Sequence, residues 1–146
     1  MKKPTIASDA DLKARIRTSG LKATNPRILV LRSLLAQETP ASHADLCEVL
    51  GRAGLDRATI YRNLKDLAGA GLVTRIDLGD HIWRFEAMRE GHPGHGICPH
   101  FVCRACGKVS RLPNVRVRIV RKGRAPKSLG TKDISIQITA LCDDCT

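Results

Sequence analysis

Apolar residues recur at helical spacing through the first half of the chain and at strand spacing near its end. Leu12 and Ile16 predict a helix over 9–19, stopped by Gly20. In "TNPRILVLRSLLAQE" a second helix is expected, with Asn25 as N-cap and Pro26 at the first helical position. "SHADLCEVLGRAG" opens with Ser42 and carries Asp45 three residues on, the spacing of a capping box, and Gly51 and Gly54 close it. In "DRATIYRNLKDLAGAGL", Ile60, Leu64 and Leu67 form one buried stripe, while Arg57, Thr59, Tyr61, Arg62 and Lys65 fall largely off it. "LVTRI" and "HIWRFE" then alternate like strands, and "DLGD" between them places a glycine in a hairpin turn. Residues 87–97 have Gly, Pro and His without periodicity and read as a linker. "VRVRIV" (115–120) and "DISIQITALC" (133–142) alternate with period two and predict two further strands, joined by the basic turn "RKGRAPKSLGTK".

The fold class expected is α+β. A winged helix-turn-helix would occupy residues 1–86, a hinge linker 87–97, and a small β-rich unit 98–146. Helices ending in a two-stranded hairpin suit DNA recognition: the helix before the hairpin enters the major groove, with Tyr61 and Arg62 facing the bases and backbone. The same helical pattern also suits a generic small helical domain with a polar face.

Composition narrows this. Aromatic residues make up only 3% of the chain, so large buried side chains are scarce and a small β unit needs a staple. The N-terminus has no continuous apolar leader and no stretch is long enough to span a bilayer, which predicts a cytoplasmic protein. In that reducing compartment the six cysteines favour metal thiolates over disulfides. The net charge of +11 favours a polyanionic partner, since neutralising phosphates releases counterions. Arg57, Arg62 and Lys65 would meet phosphates, with Thr59 and Tyr61 nearer the bases.

Cys103-x-x-Cys106 and Cys142-x-x-Cys145 stand 35 residues apart. Two such pairs complete a closed tetrahedron of soft donors, which predicts one structural zinc per chain. Four thiolates leave no open coordination position, so this zinc would not be catalytic. A redox CxxC is the alternative from a different class. Cys47 reads as a small core residue. Between the hairpin and the first CxxC lie His81, Glu86, His92, His95, Cys98 and His100, a donor set suited to a second divalent ion at the hinge. No HExxH-type pair supports a zinc hydrolase.

"GLKATNPRILVLRSL", "LDRATIYRNLKDLAGAGLV", "WRFE", "HFVCRACGKV" and "LCDDC", in this order, resemble the ferric uptake regulator family. The resemblance implies a metal- or peroxide-responsive transcription factor, usually a repressor, that binds a double-stranded operator as a homodimer. It implies that Tyr61 contacts a base, that Lys22 reaches the minor groove, and that the four paired cysteines hold structural zinc. Glu86 matches a carboxylate ligand of the family's sensing site. Pro40, Ser110 and Arg111 occupy positions where the family has ligands. At Cys98-Pro99-His100 a thiolate replaces one imidazole of the usual His-x-His. That replacement resembles the family's zinc-uptake regulators and implies a regulatory zinc held by His81, Glu86, His95, Cys98 and His100. Iron or peroxide sensing is the alternative within the family. The family's long helix after the first CxxC is replaced by "VRVRIVRKGRAPKSLGTK", which has no helical stripe.

Overall fold

The computed structural model describes residues 7–89, 99–130 and 134–146. They fall into two compact units, Met1–Arg89 and Glu90–Thr146.

The first unit holds four helices and a small sheet. Helix α1 (Asp9–Thr18) begins at a reciprocal capping box between Ser8 and Asp11, and buries Leu12 and Ile16. Helix α2 (Asn25–Leu35) has Thr24 at its N-cap position, with no side-chain capping bond, one residue earlier than the sequence suggested. Asn25 is therefore already helical, and Pro26 sits in the first turn, where its missing N–H leaves no bond unmade. After strand β1 (Ala41–Ser42), helix α3 (His43–Gly51) starts from the expected Ser42–Asp45 box. Helix α4 (Arg57–Gly69) is capped by the Asp56 carboxylate, which accepts the Thr59 N–H at 2.7 Å. Strands β2 (Val73–Asp77) and β3 (Trp83–Ala87) pair antiparallel, and β1 adds to β3 to give the order β1-β3-β2. One apolar cluster of fifteen buried residues joins all four helices to the sheet, with Leu12, Leu31, Leu46 and Leu64 inaccessible at its centre.

The hairpin tip is held by its own acids. Asp77 accepts the Gly79 N–H at 2.8 Å, and Asp80 accepts both the Ile82 N–H and an Arg84 guanidinium N–H. The chain reverses through left-handed conformations at Gly79 (φ 84°) and His81 (φ 62°). For a non-glycine residue that conformation is uncommon.

In the second unit, strand β4 (His100–Cys103) lies between β5 (Val109–Arg111), antiparallel to it, and β6 (Gln137–Ala140), parallel to it. Short 3-10 turns cover Lys127–Gly130 and Asp143–Cys145. The strand expected over 115–120 does not form, and that over 133–142 shortens to β6. Both edges of β4 are already taken by β5 and β6, so a further strand would have to add at the rim. There its closely spaced Arg116, Arg118 and Arg121 repel one another. Val115, Val117 and Ile119 accordingly stay exposed. Among the described residues of this unit only Pro99, His100 and Cys103 are buried, too few to make a hydrophobic core.

Candidate metal centre and nucleic-acid interface

Helix α4 separates two chemistries. Ile60, Leu64 and Leu67 are fully buried against the core, and Asn63 is buried with its amide donating to the Thr59 carbonyl at 2.8 Å. Arg57, Tyr61, Arg62 and Lys65 project outward, with Tyr61 52% exposed although it is aromatic. Thr59 is half-buried at the capped first turn. Hydrogen bonds from Thr59 hold the Asp56 carboxyl below its usual range, aided by the charge of Arg62. Lys22 is exposed in the approach to α2, where its carbonyl accepts an Arg27 N–H. Arg27 also pairs with Asp66 at 2.7 Å and so ties α2 to α4.

Between α3, α4 and the hairpin runs a groove of about 520 Å³, lined among others by His43, Tyr61, Lys65, Arg75, His81 and Trp83. The Arg75 guanidinium stacks 3.9 Å above the Trp83 ring, and His43 meets Tyr61 edge-on at 5.7 Å. His43, Arg75 and Trp83 were not foreseen from the sequence. Cross-strand register offers the missing signal: Asp77 pairs with Trp83, so Arg75 lies diagonally beside Trp83 on the same face.

The four paired cysteines converge in the second unit. Their sulfurs all lie within 4.8 Å of one another, and Cys106 and Cys142 are 3.8 Å apart. A tetrahedral zinc with bonds of about 2.3 Å needs sulfurs about 3.8 Å apart, so the donor set fits that ion. Cys103 ends β4, and Cys142 follows β6 by two residues; because the strands are parallel, the two knuckles leave the sheet side by side. Gly107 (φ 72°) returns the chain, its N–H donating to the Cys103 carbonyl at 2.9 Å. Backbone N–H groups of Cys106 and Cys142 draw the Cys103 thiol down to about 6. The neighbouring thiols, Cys142 first, push Cys145 up to about 12. Four thiolates so close resist joint ionisation unless a cation sits among them.

The expected regulatory donors are dispersed along the chain. His81 is exposed at the hairpin tip and lines the groove, Glu86 lies on β3, and His100 is buried at the start of β4. His95 and Cys98 lie outside the described residues, as does His92. Cys47 is half-buried beside the core cluster, 3.4 Å from His43.

Residues 18–140 match the ferric uptake regulator family. The chain belongs to that family. Its members are metal-responsive transcription regulators that bind DNA, and this chain is such a regulator and not an enzyme. "Transcriptional regulator FurA" of Mycobacterium tuberculosis is 32% identical over 110 residues, 72% of this chain and 69% of that protein. Solved structures agree in fold. The ferric uptake regulator Fur of Helicobacter pylori, described as having three functional metal binding sites, superposes with a TM-score of 0.66 at 17% identity, covering 99% of this chain and 97% of that one. A zinc uptake regulator complexed with zinc and DNA gives 0.61 at 19% identity, with 95% of each chain covered. The α+β class and the four-cysteine cluster expected from the sequence both hold. No helix among the described residues is long and apolar enough to cross a membrane.

Proposed function

We propose that this regulator is a zinc-dependent repressor of metal-homeostasis genes. Residues 1–86 bind a double-stranded operator, residues 98–146 form the homodimer, and residues 87–97 are the hinge. Cys103, Cys106, Cys142 and Cys145 hold a structural zinc in each chain. His81, Glu86, His95, Cys98 and His100 hold the regulatory zinc. Arg57, Arg62 and Lys65 meet DNA phosphates, Thr59 and Tyr61 read the major groove, and Lys22 reaches the minor groove. The protein works in the cytoplasm.

The observation that carries the zinc assignment is the donor chemistry around the hinge. A sensing set that gains a thiolate at Cys98 and lacks ligands at Pro40, Ser110 and Arg111 is softer than the nitrogen- and oxygen-rich set that suits iron. Bound at the hinge, the metal would favour the arrangement in which both recognition helices of a dimer meet successive major grooves. A nearly complete swing between states needs about a 10⁴-fold preference of the metal for the DNA-competent one.

Native mass spectrometry of chelator-treated protein, titrated with zinc, tests this alongside binding to an operator selected from a random duplex pool. The expected result is one zinc retained per chain and a second gained on titration, with operator affinity rising at the second step. Cys98→Ser should keep the first zinc and lose the second. A chain that never exceeds one zinc, or that responds to ferrous or manganous ion at lower free concentration than to zinc, overturns the assignment.

A further inference from the structure

The charge of this regulator is concentrated away from its recognition helix. Residues 1–89 carry 15 Lys and Arg against 10 Asp and Glu, a net of +5. Residues 90–146 carry 10 against 4, a net of +6 in a much shorter stretch. All ten of those cations lie between Arg104 and Lys132, and no Asp or Glu interrupts that run.

Most of them fall in one exposed segment of the chain. Arg116, Arg118, Arg121, Lys122, Arg124 and Lys127 lie in the strap that leads from β5 toward β6, and all six are exposed. Among the described residues none of the six has an acidic partner, whereas Lys108 nearby pairs with Asp144 at 3.6 Å. From Val115 to Lys122 the chain lies outside any helix or strand. Two copies joined through this unit would bring both straps' charge into one assembly, which is costly unless a counter-charge is supplied.

We infer that the strap, residues 115–127, is a second DNA-contacting element, binding the phosphate backbone without reading sequence. This rests on the reading of the chain as a DNA-binding regulator. Three properties point to a duplex rather than a small anion. The six cations are spaced along the sequence from Arg116 to Lys127 instead of being clustered at one position. An extended run from Val115 to Arg124 can reach up to about 30 Å, close to the ~34 Å of one duplex turn. Arginine predominates among the six, and its planar fork suits phosphate oxygens. A winged helix in the same chain would hold duplex DNA at high local concentration, so even weak strap contacts would be populated. The strap would lengthen residence on any DNA and leave the choice of operator to Tyr61 and its neighbours.

The test is the salt dependence of binding to a random-sequence duplex, read by fluorescence anisotropy across a KCl series. Full-length protein is compared with R116Q/R118Q/R121Q/K122Q/R124Q and with the charge-preserving R116K/R118K/R121K/R124K. Each neutralised phosphate adds about 0.9 to the slope of log K against log salt. The glutamine variant, with five cations removed, should therefore lose up to about 4.5 from the slope while its preference for a selected operator over random duplex stays the same. The lysine variant should keep the parent slope. Unchanged zinc content and helical circular dichroism show that both variants are folded. If the parent binds duplex and the glutamine variant keeps its slope, the strap inference is overturned while the regulator reading stands. If the parent binds no duplex under any salt, the regulator reading fails first. An unchanged slope with a dimer that falls apart would assign the strap to the second copy. An unchanged slope with new loss of binding to phosphatidylserine vesicles would assign it to a lipid surface. Either result overturns the DNA assignment.

Discussion

Two substitutions two residues apart on α4 should have opposite consequences. Leu64 is fully buried, and replacing it by alanine removes three carbons from the centre of the fifteen-residue cluster. At about 0.8 kcal/mol for each buried carbon the lost transfer energy is ~2.4 kcal/mol. A residual cavity of ~40 Å³ adds about 1 kcal/mol at ~24 cal/mol per Å³. The sum, about 3.5 kcal/mol, is a large fraction of the roughly 4–13 kcal/mol that a unit of this size commands. It should lower the melting temperature of the first unit by roughly 15–25 °C. Arg62→Ala removes an exposed side chain and should change stability by less than about 0.5 kcal/mol. It should nevertheless weaken DNA binding and reduce the salt slope by about 0.9 for each phosphate that Arg62 neutralises. Trp83 is the single tryptophan of the chain and lies in the first unit, so its fluorescence reports the melt of that unit alone. If Arg62→Ala destabilises as much as Leu64→Ala, or if Leu64→Ala costs under about 1 kcal/mol, the assignment of buried and DNA-facing sides is wrong.

Chelation at neutral pH should collapse hydrogen-exchange protection over 99–146 and leave the Trp83 signal of the first unit unchanged, because three buried residues cannot hold the second unit without the metal. Equal loss in both units would show that the cysteine cluster is not a local staple. Ser42→Ala removes the reciprocal cap of α3 and should cost about 1 kcal/mol in urea denaturation followed at Trp83. The Asp56 carboxyl is depressed by its bonds to Thr59, so its stabilisation is complete above the ordinary value of 3.8 and is lost as pH falls through its lower folded value. Asp56→Asn should therefore flatten the acid limb of the Trp83 melt below about pH 3.8 and lower stability by a pH-independent amount across the neutral region; an altered slope near pH 6 would contradict this. Tyr61→Ala should lower affinity for a selected operator more than for random duplex, and an equal loss on both would remove Tyr61 from base reading.

The first unit was legible because its signals are local. Stripes such as Ile60, Leu64 and Leu67, the Ser42–Asp45 box and the glycine of "DLGD" act within a few residues, so the four helices and the hairpin could be placed from their own sequence, whereas the two-residue β1, which adds to β3, could not. The cysteine pairs were legible for another reason: only a shared ligand gives two CxxC motifs a common purpose. Less of the second unit could be read. Val115, Val117 and Ile119 alternate as a strand should, yet pairing depends on a free sheet edge, and no edge is written in the segment itself. Strands β4 and β5 were missed because "HFVC" and "VSR" are too short to show a period. Likewise, the stacking of Arg75 on Trp83 arises from register between two strands, which neither strand specifies alone.

The parallel pairing of β4 with β6 also bears on how the lineage could change. Because both knuckles emerge at one end of the sheet, the chain between β5 and β6 is a closed excursion whose ends are fixed by the two ladders on β4 and the sulfur cluster. Closing such an excursion depends only weakly on its length: doubling it costs about 0.6 kcal/mol. Insertions, deletions and wholesale replacement of its contents are therefore nearly neutral to the staple. A regulator built this way can exchange a helix for a cationic strap in the excursion without having to reinvent the cysteine cluster that anchors it.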